Sequence, residues 1–195
     1  EFGYTLKLLG VARNTDGEME VGVFPMMIPA THPLAHVKDA FNAVFVHGDA
    51  VDDAMFQGKG AGELPTASAV MGDLIAVARN MQYNCCGRIG CSCYRELPMK
   101  ASGESRHRYF LRLIVEDRTG ILAGVAGVLG NNNVSINQVI QKPAVDGVAE
   151  LVVITDKVEK RHLKDALVIF GQMSMIRQVA SVIRVYSQRQ ENDLL

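Results

Sequence analysis

The chain has 195 residues, 48% of them hydrophobic, enough for one large domain or two small ones with packed cores and too apolar for an intrinsically disordered chain. Twenty basic residues face twenty-one acidic ones, so a net charge of −1 favours neither nucleic acid nor an anionic membrane as partner. No apolar run is long enough to span a bilayer and no secretory leader pattern opens the chain, so a cytoplasmic location is the expectation.

The chain begins at Glu1 and runs at once into a strand, FGYTLKLLGVAR, which reads as the C-terminal part of something longer. That strand, Tyr4 to Arg13, the turn signal Asp16-Gly17 and the run MEVGVFPMMIP predict a hairpin. Pro25 and Pro29 are expected to break regular structure after it. Ala43, Val44, Phe45 and Val46 are apolar in succession, which suits a strand covered on both faces. His32 and His36 stand four apart, but Pro33 lies between them and no Glu completes a metal motif; a turn with solvent-facing imidazoles is expected. Asp52-Asp53 reads as solvated surface.

The next stretch, Gly58-Lys59-Gly60-Ala61-Gly62-Glu63-Leu64-Pro65-Thr66, sets three glycines at alternate positions before a helix with Val70, Leu74, Val77 and Met81 at apolar spacing. A glycine-rich turn feeding a helix start suits an anion or the polar parts of a dinucleotide, and equally a plain structural turn. It is not a Walker A loop, because Gly60 rather than Ser or Thr follows Lys59. Taken with Tyr4-Thr5-Leu6-Lys7-Leu8-Leu9, His32-Pro33-Leu34-Ala35, Asn42-Ala43-Val44, Gly48-Asp49 and Pro65-Thr66-Ala67-Ser68-Ala69-Val70 to Asp73-Leu74, the stretch resembles the C-terminal part of homoserine dehydrogenase.

That resemblance implies an enzyme interconverting aspartate 4-semialdehyde and homoserine with NAD(P)H, on the route to threonine and methionine. It implies that the cofactor is held mainly by an N-terminal Rossmann domain preceding Glu1, and that Gly62, with Gly60 and Thr66, touches it from this side. No stretch matches the family's substrate carboxylates or its proton-donating lysine, so no catalytic residue is assigned and the chain alone is expected to be inactive.

All four cysteines lie between Cys85 and Cys93 with spacing C-C-x4-C-x-C, unlike the C-x2–4-C pairs of structural zinc sites; free thiols are expected and no metal is assigned. Pro98 and the polar run Lys100 to Arg108 have linker composition, giving a first unit over 1–96 and a linker over 97–108. From Tyr109 to Tyr186 the periods alternate. Tyr109, Leu111, Leu113 and Val115 repeat at two, and Ile121, Leu122, Val125, Val128 and Leu129 at helical spacing. Asn131 to Asn133 suit a helix exit, VSINQVIQK and VAELVVITD flank the turn Asp146-Gly147, Leu163, Ala166, Leu167 and Phe170 mark a second helix, and ASVIRVYS closes as a strand. The order β-α-β-β-α-β is the ferredoxin-like arrangement, and residues 187–195 read as a tail.

The run Leu113-x-Val115-x-Asp117-x-x-Gly120-x-Leu122, with Leu129 and Val134-Ser135-Ile136, resembles an ACT domain. The fold class expected is therefore α+β, a partial homoserine dehydrogenase catalytic domain followed by an ACT domain. The resemblance implies a small amino-acid effector, threonine, bound where two modules meet by Asp117, Arg118, Thr119, Gly120 and Asn137, with self-association to a dimer or tetramer. Asp117 taken alone also suits a role in satisfying backbone donors of its turn. A non-enzymatic amino-acid sensor with a dimerisation scaffold, and a small metal protein built on the cysteines, are the competing readings.

Overall fold

The computed structural model describes residues 2–15, 17–48, 50–85 and 96–187. Period-two alternation over the first residues gives β1 (Tyr4–Thr15) and β2 (Glu18–Pro29), paired antiparallel from Tyr4↔Pro29 to Thr15↔Glu18. Asp16 lies outside the described residues; Gly17 supplies the positive φ of +82° that the tight turn needs. Pro25 does not break β2 as expected. It pairs with Leu8, and β2 gains a second neighbour only at Met26 and Met27, so Pro25 sits where that edge of the strand is free of a ladder.

Residues 106–185 form the second half of the same sheet: β5 (Arg106–Glu116), α2 (Ile121–Asn131), β6 (Ile136–Gln141), β7 (Val148–Thr155), the two-residue β8 (Val158–Glu159), α3 (Lys160–Phe170) and β9 (Ile176–Val185), with β3, β4 and α1 taken up below. The strand order is β1-β2-β9-β5-β7-β6, with β8 on β5. Its last four positions reproduce the ferredoxin-like order expected from the sequence. Tyr109, Leu111, Leu113 and Val115 point to one side and meet Ile121, Val125 and Leu129 of α2 and Leu163, Ala166 and Phe170 of α3 in a single buried cluster. Asn133 takes the left-handed conformation at the exit of α2 (φ +57°), and Asp146 and Gly147 (φ +51° and +72°) turn the chain between β6 and β7.

The expected boundary after residue 96 is found, but the first unit does not reach back to residue 1 and residues 97–108 are no separate linker. One compact unit comprises Glu1–Pro29 with Leu97–Leu195, and the other Ala30–Glu96. The hairpin joins the C-terminal sheet by the parallel pairs Met26↔Arg184 and Met27↔Val185, and the stretch read as a linker is tied to it: the Met19 amide donates to the Pro98 carbonyl at 2.8 Å and the Lys100 amide to the Met19 carbonyl at 2.9 Å. The strand also starts earlier than Tyr109. Arg106 to Arg108 belong to β5, and Ser105 and His107 are buried despite their polarity because partners meet them inside.

The second unit holds a short 3-10 turn (Pro33–His36), the antiparallel ribbon β3 (Phe41–Gly48) and β4 (Asp52–Lys59), and the twenty-residue helix α1 (Glu63–Gln82). Here the two-sided burial expected of Ala43 to Val46 fails. Ala43 and Phe45 are half-buried while Val44 and Val46 are exposed, because the ribbon has only two strands and no layer over its second face among the described residues. No residue of α1 is buried, and Val70, Leu74, Val77 and Met81, the positions read as its apolar face, are each more than half exposed.

Candidate functional site

The glycine run is open. β4 ends at Lys59, the Gly60 amide donates to the Ala40 carbonyl at 3.0 Å, and Gly62 caps α1 with φ +128° while its carbonyl accepts the first helical bond from the Thr66 amide. Gly58, Gly60, Gly62 and Thr66 are all exposed, and Gly58 and Gly60 line a shallow groove of about 290 Å³ with Asn42, Val44 and Phe56. The structure supplies a local reason for one of the glycines: Gly62 holds a φ that side chains rarely adopt, whereas a Cβ on Gly60 would meet only the exposed Asn42 side chain, which can turn away. Gly58 carries neither constraint. The residues fit backbone approach by a flat cofactor group, but not a phosphate cradle: Pro65 removes a donor from the first turn of α1 and Glu63 adds negative charge there.

The second candidate site is the turn after β5. The Asp117 amide donates to the Gly147 carbonyl at 3.0 Å, the Arg118 amide to the Glu116 carbonyl, and Gly120 starts α2 with φ +86°. The side chains of Asp117, Arg118 and Thr119 are exposed. Within one chain Asn137 does not join them: its Oδ1 accepts from Arg108 Nη2 at 2.5 Å and its Nδ2 donates to Asp156 at 3.0 Å. Arg108 lies near the start of β5 and Asp117 follows its far end, which separates the two by roughly 30 Å at the rise of a strand. Within one chain β6 starts beside the start of β5, so a residue at its beginning cannot reach the turn at the other end of the sheet.

The histidine expected to face solvent does not. His32 is 4% exposed; its Nδ1 accepts from the Leu34 amide at 3.1 Å, its ring lies 4.8 Å from that of Phe45, and burial holds its pKa below the ordinary value against the pull of Asp53. His36 is exposed as expected. His47 Nδ1 stands 2.8 Å from Asp53 and 3.5 Å from Asp52, an exposed trio that could gather round a cation, where the sequence suggested plain surface. Of the cysteine cluster, Cys86, Cys91 and Cys93 lie outside the described residues; Cys85 Sγ approaches the Tyr83 carbonyl at 3.3 Å.

A buried polar group was missed altogether. Glu20 of β2 lies 2.6 Å from His107 Nε2 of β5 and 3.6 Å from Arg184 Nη1 of β9, all three side chains being no more than 11% exposed. The guanidinium of Arg184 also stacks on Phe24, 3.6 Å from the ring centroid. Burial pushes the Glu20 carboxyl up, but the bond and charge of His107, with Ser105 and Arg184, outweigh it and leave the pKa lowered. Burial, helped by Arg184, holds His107 low against Glu20. The pair is thus a carboxylate accepting from a neutral imidazole. The one sequence signal was a charge at Glu20 in phase with Met26 and Ile28 on the inward face of β2.

Both shifts are downward, so both contribute stability at neutral pH that acid removes. Below the ordinary histidine value of 6.5 the unfolded chain takes up a proton that folded His107 still refuses, and below 4.5 the same holds for Glu20. Melting followed by circular dichroism should therefore give a Tm that is highest above pH 6.5 and falls in two stages on acidification; His107→Gln should reduce the upper stage, to which buried His32 also contributes.

A family model described as homoserine dehydrogenase matches residues 1–75, and one described as ACT domain matches residues 109–167. The chain belongs to the homoserine dehydrogenase family and carries an ACT domain. The homoserine dehydrogenase of Bacillus subtilis is 36% identical over 185 residues, covering 94% of this chain and 43% of that protein. That of Mycobacterium leprae is 38% identical over 193 residues, with 94% and 44% covered. The crystal structure of a homoserine dehydrogenase from Thiobacillus denitrificans superposes with a TM-score of 0.84 at 30% identity, over 95% of this chain and 43% of that one. The chain thus spans less than half the length of the homoserine dehydrogenases it matches. Gly58, Gly60, Gly62 and Thr66 fall inside the homoserine dehydrogenase match, and Asp117 to Gly120 and Asn137 inside the ACT match. Glu20 lies in the first match, while His107 and Arg184 flank the second.

Proposed function

We propose that the chain serves as the regulatory and cofactor-facing part of a homoserine dehydrogenase, which interconverts aspartate 4-semialdehyde and homoserine with NAD(P)H in threonine and methionine biosynthesis. The observation that carries this is the open run Gly58 to Thr66, inside the family match and bordered by apolar faces that nothing among the described residues covers. The cofactor supplies the hydride when bound to the nucleotide-binding part of the enzyme. The role of this chain is positional: Gly60 and Gly62 let backbone approach it, and Val44, Val46, Val70 and Leu74 offer surface that excludes water when the rest of the family's length packs there. Fused to the N-terminal half of the Bacillus subtilis relative, the chain should oxidise NAD(P)H in the presence of aspartate 4-semialdehyde. A folded fusion without turnover rejects the reading.

The ACT domain is proposed to bind threonine between two copies. β6 is the last strand of the sheet, and its outer edge meets no strand among the described residues. Antiparallel pairing of β6 with β6 of a second copy would set the Ile136 end of one against the Gln141 end of the other. Gln141 pairs with Leu151, which in turn pairs with Leu113 toward the Asp117 end of β5. Asn137 of one copy would thereby approach the turn of its partner, which removes the conflict of the opposite ends. Calorimetric titration with threonine should show binding, and Asp117→Ala and Asn137→Ala should each weaken it about tenfold or more, the worth of a charge-assisted hydrogen bond. Binding that survives both substitutions overturns the assignment.

A further inference from the structure

The hairpin Tyr4–Pro29 belongs by family match to the dehydrogenase segment and by contacts to the ACT-type sheet. Its backbone attachment to that sheet is slight for strands of twelve residues. Only Met26 and Met27 pair with β9, and besides these Tyr186 donates to Met27 at 2.7 Å while Met19 exchanges bonds with Pro98 and Lys100. Between these two anchorages, from Met19 to Met26, β2 is held by side chains: Glu20 by His107 and Arg184, and Phe24 beneath the Arg184 guanidinium.

We infer that Glu20, His107 and Arg184 form a latch that docks the hairpin as a separable strap on the C-terminal sheet. One carboxylate accepts from His107 of β5 and pairs in charge with Arg184 of β9, so the strap seats only when those strands are in register with each other and with β2. The charged and titratable groups facing the latch are Arg13 from β1, Tyr109 from β5 and Ser105 before it, and Lys100 pairs with Glu18 at 3.8 Å beside it. With the carboxylate gone, Arg184 loses its counter-charge and His107 its ionised acceptor in a site that water reaches poorly, and undocking restores their solvation. The cluster built from Leu111, Leu113, Leu151 and Val153 does not include the hairpin, whose buried Met26 and Ile28 lie outside it, and need not open with it. The inference stands apart from the effector and cofactor readings, since it concerns only how the strap is held.

Native-state hydrogen exchange on the whole chain tests it through three reporter amides, those of Met19, Lys100 and Tyr186, which make the docking bonds. In Glu20→Gln these three should exchange at least about tenfold faster, as in a local opening, while the amides of Leu111 and Leu113 keep their wild-type rates. Unchanged reporters would overturn the latch, and so would equal acceleration of reporters and core, which would make the hairpin an ordinary part of one cooperative unit. His107→Gln, which leaves the contact of Glu20 with Arg184 in place, is the second variant should Glu20→Gln fail to fold, and the same two outcomes decide it.

Discussion

Replacing Phe170 by Ala should lower the stability of the C-terminal sheet unit by about 3–5 kcal/mol, whereas Leu74→Ala should change the stability of the chain by less than about 0.5 kcal/mol. Both side chains lie on apolar helix faces, and composition would rank them alike. Phe170 is fully buried beneath α3 among Leu163, Ala166 and the inward residues of β5, so its removal loses transfer energy and leaves a cavity. Leu74 is 56% exposed on a helix with no buried residue, so its truncation removes almost no contact. Urea unfolding followed by far-ultraviolet circular dichroism measures both. A Leu74→Ala loss approaching that of Phe170→Ala would mean that α1 is packed in this chain.

The second large effect belongs to the glycine run, in the enzyme completed with the rest of the family's length. Gly62→Val should place a branched side chain at φ +128°, a strain of about 1–3 kcal/mol, at the point proposed to face the cofactor. The KM for NAD(P)H should rise roughly tenfold or more, at about 1.4 kcal/mol per tenfold, while substrate affinity changes little. Gly58→Ala, where a Cβ meets nothing and φ is ordinary, should be close to neutral. Gly60→Ala should be mild as well, since the new methyl strikes only the exposed Asn42 side chain, which can turn away. Equal KM values for Gly58→Ala and Gly62→Val would remove the distinction on which the assignment of Gly62 rests.

The sequence is most legible where one local rule decides the outcome. Tyr109, Leu111, Leu113 and Val115 had a single inward face to occupy, Asp146-Gly147 demanded a positive-φ turn, and Asn133 ended its helix by the conformation that Asn tolerates. Where position depends on a partner far along the chain, the residues are silent. Glu20 and His107 are eighty-seven residues apart, and nothing in either neighbourhood marks their bond. Pro25 looked like an end to β2 only because the edge it occupies was unknown, and the polar run before Tyr109 looked like a linker because its buried acceptors were elsewhere. Val44 and Val46 misled in the opposite sense. Their composition belongs to a strand with two neighbouring layers, and the described residues supply one side at most. Asn137 was placed on motif alone, and the path of α2 from one end of the sheet to the other is what sets it away from Asp117.

Whether α1 and the β3–β4 ribbon form a surface made to be covered is open to direct measurement by hydrogen exchange across α1, on this chain alone and after fusion to the N-terminal half of a homoserine dehydrogenase. The amides from Val70 to Met81 should become strongly protected in the fusion while those of β5 and β7 keep the rates they have in the isolated chain. Exchange along α1 that stays the same in both proteins would contradict such a surface.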